Sequence, residues 1–171
     1  MRSIRQISSF LIPVIVFTTL VIFVAGCANQ EKAKEEELKA TIRRVWEEAY
    51  NRGNMDVFDE FYTTDMVTHI SPYRDIEGLD SYKKNCARWF VTYPDMKITI
   101  DEIIVKGETS AVRWTFLGTH KELGKQVTYP GCTVSHRVDG KIVEEWQYED
   151  DLGLLQQRGY QLVPPQEQGE E

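Results

Sequence analysis

The apolar positions of this chain change their period twice. Residues 10–25 form a nearly continuous apolar run, broken only by Thr18 and Thr19. Further on, Leu38, Ile42, Val45, Trp46 and Ala49 recur at separations of 4, 3, 1 and 3, which predicts a helix with one buried stripe. Asn51-Arg52-Gly53 is a helix stop, and Asn54 can cap a short second helix that buries Phe58 and Phe61. Residues 66–70 alternate and predict a short strand. Asp80 or Ser81 can cap a third helix with Tyr82, Cys86, Trp89 and Phe90 on its buried side, ended by Pro94.

After Pro94 the period falls from 3.6 to 2. Residues 97–106 read as a strand closed by Gly107-Glu108, and residues 111–120 as a second, rich in Trp, Thr and Phe. Residues 126–138 and 141–151 are a third and a fourth, joined at Asp139-Gly140 in a hairpin. Three helices followed by a curved antiparallel sheet make an α+β fold with the helices on one face. The tail, residues 164–171, is rich in Pro, Gln and Glu and is expected to be disordered.

Charge narrows the function classes. The 171 residues carry 20 Lys and Arg against 27 Asp and Glu, a net −7. Only Arg2 and Arg5 fall within residues 1–26, so the rest is more acidic still. Such a surface argues against nucleic acid, whose binders cluster Lys and Arg, and against charge-driven adhesion to anionic lipid. No Cys/His cluster, phosphate loop or nucleophile elbow is present, so neither metal nor cofactor is expected.

The N-terminus has its own logic. Arg2 and Arg5 precede the apolar run as the basic start precedes the core of a signal peptide. The run ends in Val24-Ala25-Gly26-Cys27, which resembles a bacterial lipoprotein signal. That resemblance implies removal of residues 1–26 and acylation of Cys27, hence export and lipid anchoring to the cell envelope. Several acyl chains on one residue hold a protein durably, where one alone is marginal. Residues 27–36 then read as a polar tether and residues 37–163 as the folded domain. Cys86 and Cys132, in apolar surroundings, are expected as two buried thiols, with a disulfide as the alternative.

Within the domain an ordered set of motifs resembles the SnoaL-like polyketide cyclases. It comprises Trp46 with Asn51-Arg52-Gly53-Asn54, then Phe58-Asp59-Glu60-Phe61-Tyr62 and Asp65-Met66-Val67-Thr68-His69. Pro94-Asp95-Met96, Gly118-Thr119-His120, the stretch from Asp139 to Trp146 with Asp150, and Leu154-Leu155-Gln156-Gln157-Arg158-Gly159 continue it across residues 38–162. The resemblance implies an NTF2-like cone, three helices wrapped on a bent sheet around a pocket. It implies cofactor-independent ring closure by aldol chemistry, with Asp150 as general acid/base and His136 assisting. His69 and His120 are then candidate substrate-binding groups.

Strand alternation bears on these candidates. Ile142, Glu144, Trp146, Tyr148 and Asp150 share a parity, so Trp146 and Tyr148 would wall the site of Asp150. A three-residue loop at Val138-Asp139-Gly140 pairs His136 with Ile142 and brings it to that face. A strict two-residue turn pairs it with Val143 and sends it to the other. The bulged loop is preferred because it also groups Val134 and Val138 with Trp146. An inward Glu144 would want a partner such as Arg113. One of Asp150 and Asp151 is expected to cap the last helix, and the cap is assigned to Asp151.

Two functions follow. The first is a cyclase or isomerase acting by proton transfer on a small apolar carbonyl compound. The second is a membrane-anchored module that holds a small ligand or a partner without turnover. A homodimer through the outer face of the sheet is compatible with either.

Overall fold

The computed structural model describes residues 29–70 and 74–163. The expected lipoprotein signal with Cys27 and the expected disordered tail from residue 164 lie outside the described residues. Residues 29–38, most of the expected tether, are helical. Their Ala, Glu, Lys and Leu content is that of a good helix former.

Helix α1 (residues 39–46) closes in a π-helical turn, Glu47–Asn51, and buries Ile42, Val45, Trp46 and Ala49 as its stripe requires. A 3-10 turn, Met55–Val57, leads into α2 (Phe58–Phe61), whose two Phe rings are buried. Asn54 stands at the cap position but makes no side-chain cap bond. Strand β1 (Tyr62–Ile70) is longer than alternation suggested, because Tyr62 is already buried. The short strand β2 (Arg74–Glu77) has too little pattern to have been foreseen.

Helix α3 (Leu79–Thr92) begins one residue before the predicted caps. Gly78, at φ +80°, turns the chain sharply out of β2 and takes the cap position without a side chain. Tyr82 and Cys86 are buried, while Trp89 and Phe90 are half-buried. Then come β3 (Lys97–Lys106), β4 (Thr109–His120), β5 (Lys125–Val138), β6 (Lys141–Glu149) and α4 (Asp151–Arg158).

The six strands lie in the order β2-β1-β6-β5-β4-β3. Four of the five neighbour pairs are antiparallel, and β1 runs parallel to β6. The parallel pair follows from connectivity. After β2 the chain crosses by α3 to the far edge, meanders inward from β3, and delivers β6 alongside β1. Register breaks on β1, β3 and β6 add local twist and bend the sheet. Its concave face carries Val112, Trp114, Phe116, Val127, Tyr129 and Ile142, all under 4% exposed, with α1, α2 and α3 supplying other buried side chains.

The break on β6 decides the site. The hairpin is a two-residue turn, with Asp139 at φ 51° and Gly140 at φ 82°, and Val138 pairs with Lys141. Arg137 pairs with Ile142, but His136 pairs with Glu144, leaving Val143 as an extra residue. One inserted residue reverses the parity of everything beyond it. Ile142, Glu145, Gln147 and Glu149 therefore turn inward, and Glu144, Trp146 and Tyr148 turn outward.

Candidate active site

The inner face of β6 meets one wall of α3. Tyr82, Asn85, Cys86 and Trp89 recur at helical spacing and face the aromatic strand residues Trp114, Phe116 and Tyr129 across a cavity of about 40 Å³. Gln147 and Glu149 line its floor, and Tyr50 of the π-helical turn joins its wall. Gly131, opposite Glu149 on β5, is required there: any Cβ would collide with the Trp114 indole, which lies across it. That indole donates from Nε1 to Thr133 Oγ1 at 3.1 Å.

Glu149 is the titratable group of this cavity. Burial among aromatic rings, with the negative charge of Asp151 nearby, pushes its carboxyl up to about 7. Among the described residues nothing donates a hydrogen bond to it. Tyr129 and Gln147 share the cavity and are likewise uncommitted among the described residues. Burial, with the charge of Glu149 adding to it, holds the Tyr129 hydroxyl far above its ordinary range, so it stays protonated as a donor.

Tyr50 and Tyr82 of the cavity wall, and Glu145 and Arg137 elsewhere in the core, have hydrogen-bond partners of their own. The Tyr50 and Tyr82 hydroxyls are 2.5 Å apart. Glu145, 1% exposed, accepts from Tyr62 and Thr68 at 3.1 Å each and ties β6 to β1. Desolvation raises its carboxyl, and those hydrogen bonds oppose the rise. Arg137, over the Phe61 ring, donates to Ser110. Burial pushes the Cys86 thiol up to about 12, which removes it as a nucleophile at neutral pH. Both Cys86 and Cys132 are free thiols, Cys132 half-buried.

The residues expected to form the site are dispersed. Asp150 caps α4: its side chain accepts from the Gly153 amide at 2.9 Å, so the cap is Asp150 rather than Asp151. Gly153 leaves room for it, since a Cβ there would strike the carboxylate. His136 lies exposed on the outer face, edge-on to Trp146 at 5.0 Å. His69 stacks on the same indole at 5.2 Å and holds Asp75 through Nδ1 (2.8 Å) and Glu144 through Nε2 (2.9 Å). Those carboxylates raise its pKa. Tyr148 is half exposed on that face. Glu144 is thus outward and paired with His69, while Arg113 pairs with Asp101 and Glu102. Glu145 is the inward one of the two.

His120 alone of the expected site residues lies on the inner side, buried at the end of β4. Its Nε2 faces Arg158 Nη2 at 3.1 Å, at the edge of a larger groove outside the cavity. Gln147 and Glu149 were not foreseen on the inner face because the Val143 bulge is invisible to a period-2 reading; Tyr129, on β5, lies outside the motifs that nominated the site. One signal was available. Asp150-Asp151-Leu152-Gly153 places a side-chain acceptor three residues before a glycine amide, a cap pattern that would have released Asp150 and directed attention to its neighbour.

A family profile described as SnoaL-like polyketide cyclase matches residues 40–158. No curated protein matches the sequence. Among solved structures, a protein of Jannaschia sp. CCS1 described as a candidate SnoaL-like polyketide cyclase is 21% identical, with TM-score 0.68, over 77% of this chain and 95% of its own. AclR of Streptomyces galilaeus, described as a candidate hydroxylase, is 22% identical with TM-score 0.66, over 77% and 90%. IdmH of Streptomyces antibioticus, a candidate polyketide cyclase, is 24% identical with TM-score 0.63, over 72% and 99%. At these identities the structural likeness establishes the fold and not the reaction. With the profile spanning the whole domain from α1 to α4, the chain belongs to the SnoaL-like polyketide cyclase family.

Proposed function

We propose that this protein is a cofactor-independent cyclase or isomerase acting on a small carbonyl compound, with Glu149 as general acid/base. The observation that supports it best is a carboxylate with no hydrogen-bond donor among the described residues, in an aromatic cavity, beside a protonated Tyr129 hydroxyl. A carboxyl near neutrality is well matched to taking and returning a proton. Glu149 removes a proton from the carbon beside the carbonyl, and the electron pair moves onto the carbonyl oxygen. Tyr129 and Gln147 donate to that developing oxyanion. The enolate carbon then attacks a second carbonyl of the same molecule, whose new alkoxide takes the proton back from Glu149; in a substrate with a conjugated C=C, the dienolate instead takes that proton back at its far carbon.

As it stands the cavity has space for about one water-sized group. Trp89 lines both the cavity and the groove outside, so its rotation would join them for a larger substrate. The test needs no known substrate. Proton–deuterium exchange beside the carbonyl, followed by NMR over a panel of aryl ketones, is expected to be catalysed and to fall about 100-fold or more in Glu149→Gln. Exchange that survives Glu149→Gln unchanged would sink the assignment.

We place this chemistry at the envelope membrane, on the strength of Val24-Ala25-Gly26-Cys27. Cys27→Ser should then move the protein from the detergent phase to the aqueous phase. Pairing of two copies through the outer sheet face is supported by the register. It sets Ile104, Ala111, Val134 and Trp146 in one row, with Ile104 58% exposed. Sedimentation of Ile104→Glu, monomeric against a dimeric parent, checks it.

A further inference from the structure

The chain is acidic overall, yet the groove beside the cavity is not. It has a volume of about 520 Å³, within the range of small-molecule sites. Arg74, Arg88, Lys121 and Arg158 line it, against the single acid Glu122. In a protein of net −7, that is a local excess of three positive charges.

These cations are not neutralised within the fold. Among the described residues none of the four stands in a salt bridge. Arg74 donates to the neutral Asn85 amide oxygen, and Arg158 to a ring nitrogen of His120. Arg158 Nε is shut off from solvent and has no hydrogen-bond partner. Elsewhere on the surface Arg44 pairs with Glu60, Arg52 with Glu47 and Glu48, and Arg113 with Asp101 and Glu102, whereas the groove gathers four cations with no such partner among the described residues. A guanidinium left with free donors in a concave site is a receptor for a planar or tetrahedral oxyanion.

The groove and the cavity are neighbours. Asn85 and Trp89 line both, so with the Trp89 ring turned aside one molecule can hold its reacting carbon near Glu149 and another group among the cations. We infer that the substrate of this site is an anionic carbonyl compound. Its apolar end would enter the aromatic cavity, and its carboxylate or phosphate would be held by Arg88 and Arg158, with Arg74 and Lys121 at the rim. The inference rests on the cavity proposed above and adds the chemical class of what fills it. Long-range attraction by the cations would also draw such a substrate to the acidic protein against its overall charge.

The experiment uses the full chain in detergent and three probes: 4-oxo-4-phenylbutanoate, its methyl ester, and 4-oxo-4-phenylbutyl phosphate. Binding is read from the quenching of tryptophan fluorescence. An anionic probe is expected to bind at least 10-fold tighter than the ester. That advantage should shrink between 50 and 500 mM salt, and fall below threefold in the double variant Arg88→Gln/Arg158→Gln. Whichever anion binds tighter names the group. Should the half-buried Arg158 prove necessary for folding, Arg88→Gln/Lys121→Gln alters two exposed side chains and must still cut the advantage at least threefold. Equal binding of acid and ester, or an advantage that survives both pairs of substitutions, overturns the inference. Glu149→Gln separates the two ideas. Exchange unaffected by it refutes the catalytic reading while the anion preference stands or falls by itself.

Discussion

The two faces of β6 carry similar side chains and differ in almost everything else. Outward stand Glu144, Trp146 and Tyr148, with His69 and His136 against the indole. Inward stand Glu145, Gln147 and Glu149. On the outer face a histidine is raised because two carboxylates hold its ring nitrogens. On the inner face a carboxyl is raised because water has been taken away from it. The outer cluster looks more like a catalytic constellation, with an acid–histidine–acid triad on an aromatic platform. The inner one differs in that its half-buried carboxylate accepts no hydrogen bond among the described residues. A shifted pKa in a cleft marks a functional candidate, while structural ion pairs such as that of His69 shift pKa values too.

The most drastic way to break the comparison is to delete Val143, the bulge residue. Residues 144–149 would exchange faces, sending Trp146 and Tyr148 inward and Glu149 out. We expect no cooperatively folded domain, seen as loss of near-ultraviolet circular dichroism and of a thermal transition.

Next is the pH dependence of stability. Glu149 has a folded pKa near 7 against an unfolded value near 4.5, so the folded state binds the extra proton. Stability should fall as pH rises from about 4.5 to 7 and level off above. Glu149→Gln removes that fall and should gain roughly 1–3 kcal/mol at pH 8, measured by urea unfolding at pH 5 and pH 8. A parallel pH profile for parent and variant would show the carboxyl to be solvated.

Asp150→Ala should cost about 1 kcal/mol through the lost α4 cap while leaving exchange chemistry within about twofold. Loss of exchange comparable to that of Glu149→Gln would return the catalytic role to Asp150. The smallest effect belongs to His69. Its folded pKa is raised, so its contribution is complete below the unfolded value of about 6.5 and disappears as pH rises through the folded one. With the imidazole partly in solvent, the contribution should stay under about 1 kcal/mol. His69→Gln should shrink the difference in Tm between pH 5.5 and pH 8 accordingly.

Periodicity alone located the helix of residues 39–46, α3 and the four strands of the meander within a few residues, because each has a long face against the core. It did not reveal β2, whose four residues hold one buried side chain. It could not supply the parallel pairing of β1 and β6, which depends on where the crossover lands. The ordered motifs, from Trp46 to Gly159, led to the family and the fold. The residues they nominated for catalysis were displaced by one strand bulge and one helix cap.

The composition and patterning of this sequence by themselves determine an acidic α+β domain, because burial and backbone pairing leave a periodic imprint on the chain. Which carboxylate meets the cavity was decided only in three dimensions. A bulge is one residue long and has no period, yet it reverses the facing of every side chain after it. The fold is written in repeats and can be read from them. The site rests on a single break in the repeat.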